Sequence, residues 1–340
     1  MAGELWLWIK EKLSAFLAFL GRVLGILWRY ARGLLRGVPG RTWGVAAATL
    51  PVVFMLYILV GMAVIQRVDD RMDQTVTVPP GGSHTVAVLA YLVERETKTH
   101  NWTPNDPFFL PGWWIDNTPN YQRGMMGALG RFAFELRDQI GRTRGSSVVD
   151  PDLEKAAGNL AREPDRWVMD FSTSFLPTTP SDTYFRDAAR QLHVYNGRLA
   201  LGNAVFERRA DNLLATLDRI ALDLGASSAA LDDYIRENSG GWFVDYGSDD
   251  LFYRVKGQVY AYALLLTALE QDFAEILSSR ELGGLYGELV RSMRAAAMLE
   301  PIYVSNGAVD GLMANHLSMQ GFYLLRARTQ LREVTNILLK

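Results

Sequence analysis

The chain has no cysteine and only four histidines among its 340 residues. The first absence excludes a disulfide framework and any thiolate-held metal. The histidines, His84, His100, His193 and His316, stand singly, and none falls in the H-E-x-x-H spacing that sets two metal ligands on one helix face. A G-x-S-x-G elbow, an S-x-x-K pair and a phosphate-cradling glycine loop are missing too. No catalytic residue, metal ligand or cofactor is assigned from the sequence. There is no series of alternating apolar–polar strands and no repeat of fixed period, which leaves an all-α domain.

Basic charge is short over most of the chain. Residues 75–340 hold 26 basic and 32 acidic side chains, so nothing there suggests nucleic acid as a partner. The basic excess is confined to the start, where residues 1–42 hold seven basic side chains against Glu4 and Glu11.

What the chain does have is a run of 23 uncharged residues, Trp43 to Ile65. At ~1.5 Å per residue it reaches ~35 Å, enough to cross a hydrocarbon core of ~30 Å. Pro51 lies inside it, which a spanning helix tolerates when local adjustments re-satisfy the backbone. The run reads as one transmembrane helix over 43–65, between a cytoplasmic basic segment (1–42) and a larger part outside. For a bacterial chain, the charge difference puts the larger part in the periplasm of an inner-membrane protein. A cleaved signal peptide is the rival reading, and Gly61-Met62-Ala63 imitates its cleavage site. Its usual apolar stretch, however, is only ~7–15 residues behind a short basic region.

Residues 4–37 resemble an interfacial amphipathic helix in composition. Arg22, Arg29 and Arg36 recur every seven residues, Arg32 shares their stripe, and Trp6, Trp8, Phe16 and Leu20 supply apolar bulk. Inner-membrane lipids are therefore expected partners. A re-entrant hairpin, or helix association through Ala18, Gly21 and Gly25, is the alternative.

The spanning helix is expected to continue to about Met72, followed by a linker (66–83 overall) that Pro79-Pro80-Gly81-Gly82 breaks. An all-α domain over 84–340 follows. Ser83 caps a helix to about Lys98, and a second runs from about Asn120 to Thr143, closed by Gly145. Asp150 and Pro151 open a third, to about Glu163. Ser181 caps a long pattern through Leu224 that Gly197 and Gly202 bend or split. Ser227–Asn238, Asp249–Leu277, Arg280–Glu300 and His316–Leu339 complete the set, with a turn at 239–241. Leu317, Leu324, Leu331 and Leu338 recur every seven residues as a buried seam. The apolar helix Val259–Leu269 belongs at the centre of the bundle.

Two segments carry candidate contacts. The loop Asn101–Tyr121 holds Trp102, Phe108, Phe109, Trp113 and Trp114 beside Asp106 and Asp116. Long ordered loops are often functional. Trp102, Asp106, Trp113 and Trp114 are candidate partner or ligand residues, with core packing, membrane contact and a cleft as the open readings. Arg137, Arg142 and Arg144 gather at a helix end beside Gly145-Ser146-Ser147 and could hold phosphate or carboxylate. The helix dipole already favours cations in a last helical turn, and this structural reading leads. Gly124, Gly127 and Gly130 suit close helix packing, and Asp232-Asp233 and Asp249-Asp250 suit helix capping.

Four stretches carry a family resemblance: Asn105–Trp113 (NDPFFLPGW), Arg131–Ser147 (RFAFELRDQIGRTRGSS), Val205–Ala221 (VFERRADNLLATLDRIA) and Gly321–Lys340 (GFYLLRARTQLREVTNILLK). They resemble a proteobacterial family of single-pass inner-membrane proteins designated a domain of unknown function. The resemblance implies a membrane anchor and offers no reaction. The expected role is a non-enzymatic envelope scaffold or binding module with an envelope protein partner, or a homo-oligomer. The alternative is a lipid- or glycan-handling enzyme or carrier with a cleft at 101–121.

Overall fold

The computed structural model describes Arg22, Gly25 and residues 40–142, 148–238, 245–308 and 313–340. Apart from Arg22 and Gly25, the interfacial helix expected over 4–37 lies outside the described residues, as do Arg144, Gly145 and the turn at 239–241. Residues 1–57 and 58–340 form two compact units.

Among the described residues the fold is all-α, with ten helices. They are α1 (Gly40–Ile65), α2 (His84–Glu94), α3 (Asn117–Glu135), α4 (Pro151–Leu160), α5 (Ser181–Ala200), α6 (Ala210–Asn238), α7 (Tyr246–Asp272), α8 (Ala274–Ser279), α9 (Gly283–Ala297) and α10 (His316–Leu338). Within α1, Ala47–Ile65 is long and apolar enough to cross a membrane, and only 6 % of that stretch is buried, so it is not a core helix of the bundle.

Helix α7 is the axis of the larger unit, packing against α2, α3, α9 and α10. It is apolar on every side from Val259 to Leu269, as a helix surrounded by others must be. Its approach to α3 is backbone to backbone. A β-carbon on Gly124 would collide with the Arg254 carbonyl, and one on Gly257 with the Tyr121 carbonyl. Gly130 serves the same end against the Leu160 carbonyl of α4, whereas Gly127 meets only Arg131 of its own helix. The leucine seam of α10 is buried at all four positions and packs on α6 and α9.

Several boundaries differ from expectation, each for a local reason. Helix α1 stops at Ile65 rather than Met72, because residues 66–79 are drawn out by contacts with the bundle. α3 widens into a π-turn over Leu136–Ile140 and closes at Gly141, not Gly145. Ser181 is the first residue of α5 rather than its cap, its hydroxyl bonding the Glu163 carbonyl at 2.6 Å. Gly202, at φ 72°, separates α5 from α6. Helix α6 runs unbroken through Ser227, so Asp232 and Asp233 lie late in a helix and cap nothing. At the start of α7 the cap is Asp245, which accepts from Ser248 N at 3.2 Å, and Asp249 follows in the first turn.

One long-range cap ties three helices together. Asp272, at the end of α7, accepts from Ser83 Oγ (2.6 Å), His84 N (2.9 Å) and Thr85 N (2.9 Å) at the start of α2. Asn196 of α5 accepts from Ser83 N at 2.7 Å and donates to its carbonyl at 3.1 Å.

The glycine contacts make a paired prediction. Gly257→Ala overpacks the α3–α7 crossing and should destabilise the full chain by about 1–3 kcal/mol. Gly158→Ala fills open space inside α4 and should be neutral or stabilising by up to about 1 kcal/mol. Denaturant titration followed by circular dichroism separates the two. Equal effects would contradict the close crossing.

Candidate functional site

The segment after α1 is an extended ribbon. From Arg71 to Val78 its residues alternate, with Met72, Gln74, Val76 and Val78 turned inward and Arg71, Asp73, Thr75 and Thr77 outward. The inward set lines a small cavity of about 130 Å³ with His84, Val88 and Tyr91 of α2 and Leu264, Thr267 and Ala268 of α7. Period-two alternation with β-branched residues is strand chemistry. Here the ribbon lies on two helices instead of pairing with a strand.

Buried charge holds the ribbon at its lower end. Arg95 and Glu96 sit in the π-turn Arg95–Thr99 that ends α2, with side chains only 3 % and 2 % exposed. Arg95 Nε donates to Glu96 Oε1 at 2.9 Å, Nη1 to the Tyr260 hydroxyl at 2.7 Å and Nη2 to the Asp69 carbonyl at 3.2 Å. Tyr121 OH also donates to the Asp69 carbonyl, at 2.9 Å, and Tyr260 OH to the Arg71 carbonyl, at 2.8 Å. Gln122 Nε2 donates to Glu96 Oε2 at 3.1 Å. Buried Lys256 donates to Asp70 Oδ2 at 2.6 Å and to the Leu299 carbonyl at 2.7 Å. Three successive ribbon residues are thus gripped by α2, α3 and α7.

The electrostatics follow from these contacts. Burial opposes the charge on Glu96, but a hydrogen bond to His100 and the Arg95 guanidinium outweigh it and keep its pKa below the ordinary range. Arg95 is likewise held charged against burial by Glu96 and the flanking tyrosines. Hydrogen bonds from Arg71, reinforced by Arg95 against partial burial, bring Asp69 to about 2. This network was not legible as a site. Its one sequence signal is the alternation in Thr75-Val76-Thr77-Val78.

The aromatic loop is ordered and divided. Trp102 is core: its ring meets Phe185 edge-on at 5.0 Å and its indole N–H donates to the Pro164 carbonyl at 2.9 Å. That burial removes Trp102 from the exposed contact surface. Thr103 N and Oγ1 donate to Gln122 Oε1 at 3.0 and 2.8 Å, and Asn105 Nδ2 donates to the Arg166 carbonyl at 3.0 Å. Asp106 folds beneath Gly112, and burial, opposed by the Gly112 N–H and aided by the charge of Asp182, raises its pKa to about 6. Phe108, Phe109, Trp113 and Trp114 remain exposed.

The two candidate clusters do not meet. The aromatic loop precedes α3 and the arginines follow it, and a helix of that length with its terminal π-turn spans roughly 35 Å. Arg137 is engaged by Asp138 at 2.7 Å and Glu154 at 3.4 Å and lies over the Phe134 ring. Arg142 also has a partner.

A carboxylate group forms where α3 and α7 begin. With its amide nitrogen turned toward the acids, Asn117 donates to Asp116 Oδ1 (2.9 Å) and Asp249 Oδ2 (2.5 Å). Asn120 donates to Asp250 Oδ1 at 2.6 Å. Burial, then repulsion from Asp116 and Asp250, raises Asp249 to about 7. The same two causes, burial and Asp116, raise Asp250. Two further clefts, of about 400 and 230 Å³, are lined by Arg208, Asp272 and Glu275 and by Phe252, Glu300 and His316.

Asp249 sets the sign of a pH dependence. Between 3.8 and about 7 the folded chain keeps a proton that the unfolded chain releases. This contribution to stability is full below the unfolded pKa and is lost as pH rises through the folded one. Thermal unfolding should therefore show a midpoint that falls across that window, with Asp249→Asn flattening the fall. An unchanged slope in the variant would remove Asp249 as the titrating group.

No curated protein and no solved structure matches the chain. A bacterial family does. Residues 55–240 and 241–340, which include the ribbon, the buried charges and the aromatic loop, match the model of the family described as "Uncharacterized protein conserved in bacteria (DUF2333)", and the chain belongs to that family.

Proposed function

We propose that this chain is a membrane-anchored, non-enzymatic scaffold or binding module of the bacterial envelope. In this reading α1 crosses the inner membrane, the N-terminus is cytoplasmic and the bundle is periplasmic. The observation that carries it is the grip on Asp69, Asp70 and Arg71. Only three residues separate the end of α1 from Asp69. A free linker would let the domain reorient about its anchor. Here three buried side-chain clusters fix that segment to α2, α3 and α7, so it is part of the bundle rather than a free linker. Such an arrangement suits holding another envelope component in place.

Two measurements test the reading. A single cysteine at Leu201, which is 75 % exposed, should react with a membrane-impermeant maleimide once the outer membrane alone is permeabilised. Reaction only after inner-membrane lysis would reverse the topology. Brief crosslinking in cells and mild solubilisation of the full chain should recover one envelope protein at near-stoichiometric yield. A partner-free chain that turns over a lipid or glycan would replace the scaffold with an enzyme.

A further inference from the structure

Four aromatic side chains of the loop before α3 are uncovered: Phe108, Phe109, Trp113 and Trp114, between 40 and 63 % exposed. They are not a loose cluster. Phe108 and Phe109 meet edge-on at 5.4 Å, and Trp113 and Trp114 at 5.0 Å. A 3-10 turn, Pro111–Trp114, sets both tryptophans, and the Trp114 indole N–H donates to the Phe108 carbonyl at 2.7 Å. Gln122 and Arg123 of α3 hold the loop backbone from below. The fold therefore keeps these rings in the open, although Trp102 of the same loop is packed away. Contiguous exposed aromatics of this kind mark a surface that something covers.

The position of Pro111 says what covers it. Pro111 is buried, and its ring fills the space a β-carbon on Gly61 would need. Gly61 lies four residues before the end of α1, so the loop reaches about 6 Å inside the apolar run. The last two turns of α1 agree. Ile58, Gly61, Met62 and Ile65 are the covered stripe, while Leu59, Val60, Ala63 and Val64 stay exposed. The aromatic loop thus stands beside the final turns of a helix apolar enough to span a bilayer.

We propose that the loop is a membrane foot: Phe108, Phe109, Trp113 and Trp114 insert into the interfacial zone of the leaflet where α1 ends, and lipid is their partner. The inference rests on α1 being a membrane span. Tryptophan is enriched in that zone because its ring is apolar and its N–H polar. Trp113 suits it, since its indole N–H meets no acceptor among the described residues.

The lack of native cysteine makes the test clean. Four single-cysteine variants of the full chain, Phe108→Cys, Trp113→Cys, Leu56→Cys and Leu201→Cys, are labelled with an environment-sensitive fluorophore. They are reconstituted in phosphatidylethanolamine–phosphatidylglycerol vesicles. Leu56 reports the span, and Leu201, beside the Ala200 backbone that touches Gly81, reports the opposite end of the ribbon. Labels at 108 and 113 should be shielded from iodide and quenched roughly threefold more than that at 201 by lipids spin-labelled near the headgroup. Iodide access at 108 and 113 with a shielded label at 56 overturns the foot and leaves the anchor standing. Shielding at 108 and 113 from both quenchers also overturns it, since protein then covers the loop. An iodide-accessible label at 56 removes the span itself, and the foot with it.

Discussion

An amine and a guanidinium buried inside the bundle impose the constraint from which the rest follows. Lys256 and Arg95 lie almost wholly out of water. A buried cation is strongly destabilising unless it is paired and its donors are satisfied. The rest of the bundle supplies only part of what is needed: Glu96 and Tyr260 for Arg95, and the Leu299 carbonyl after α9 for Lys256. The remaining acceptors, the Asp70 carboxylate and the Asp69 carbonyl, come from the ribbon. Residues 66–78 are therefore not an optional tether. They complete the electrostatics of the core, and the wide π-turn of α2 is where Arg95 and Glu96 reach them.

Topology then decides what shares a neighbourhood. The ribbon travels along α7 from Lys256 toward Gln271, and Asp272 and Asn196 receive it at the start of α2. Helix α2 returns the chain to the level of Arg95, and the aromatic loop follows. Helix α3 then carries the chain away again, which places Arg137 and Arg142 at the opposite end. The two groups singled out from composition belong to different ends of one bundle.

The all-α class, the long apolar helix, the caps at Ser83 and Asp150 and the α10 seam were legible because each depends on local chemistry or on a single period. The central place of Val259–Leu269 was legible because a helix apolar on all sides has nowhere else to go. The join between α6 and the Ser227 segment was misread, because Gly225-Ala226-Ser227 looks like a break. In the fold Gly225 admits the Arg328 guanidinium of α10 while the helix continues. The ribbon was missed because its alternation is short and directly follows a strong helical signal. The split of the aromatic loop into buried Trp102 and exposed Trp113 and Trp114 could not be read from composition, since it depends on Phe185 and the Pro164 carbonyl, more than 60 residues away.

The route of the ribbon also decides how the molecule carries load. A pull along α1 would meet the Pro111–Gly61 packing and then the contacts of Asp69, Asp70 and Arg71. Those three residues are held by side chains from α2, α3 and α7. Freeing this segment breaks several buried bonds rather than one. The Asp272 cap lies beyond them along the chain. Load passed down the chain from α1 thus meets these buried charges before the Asp272 cap.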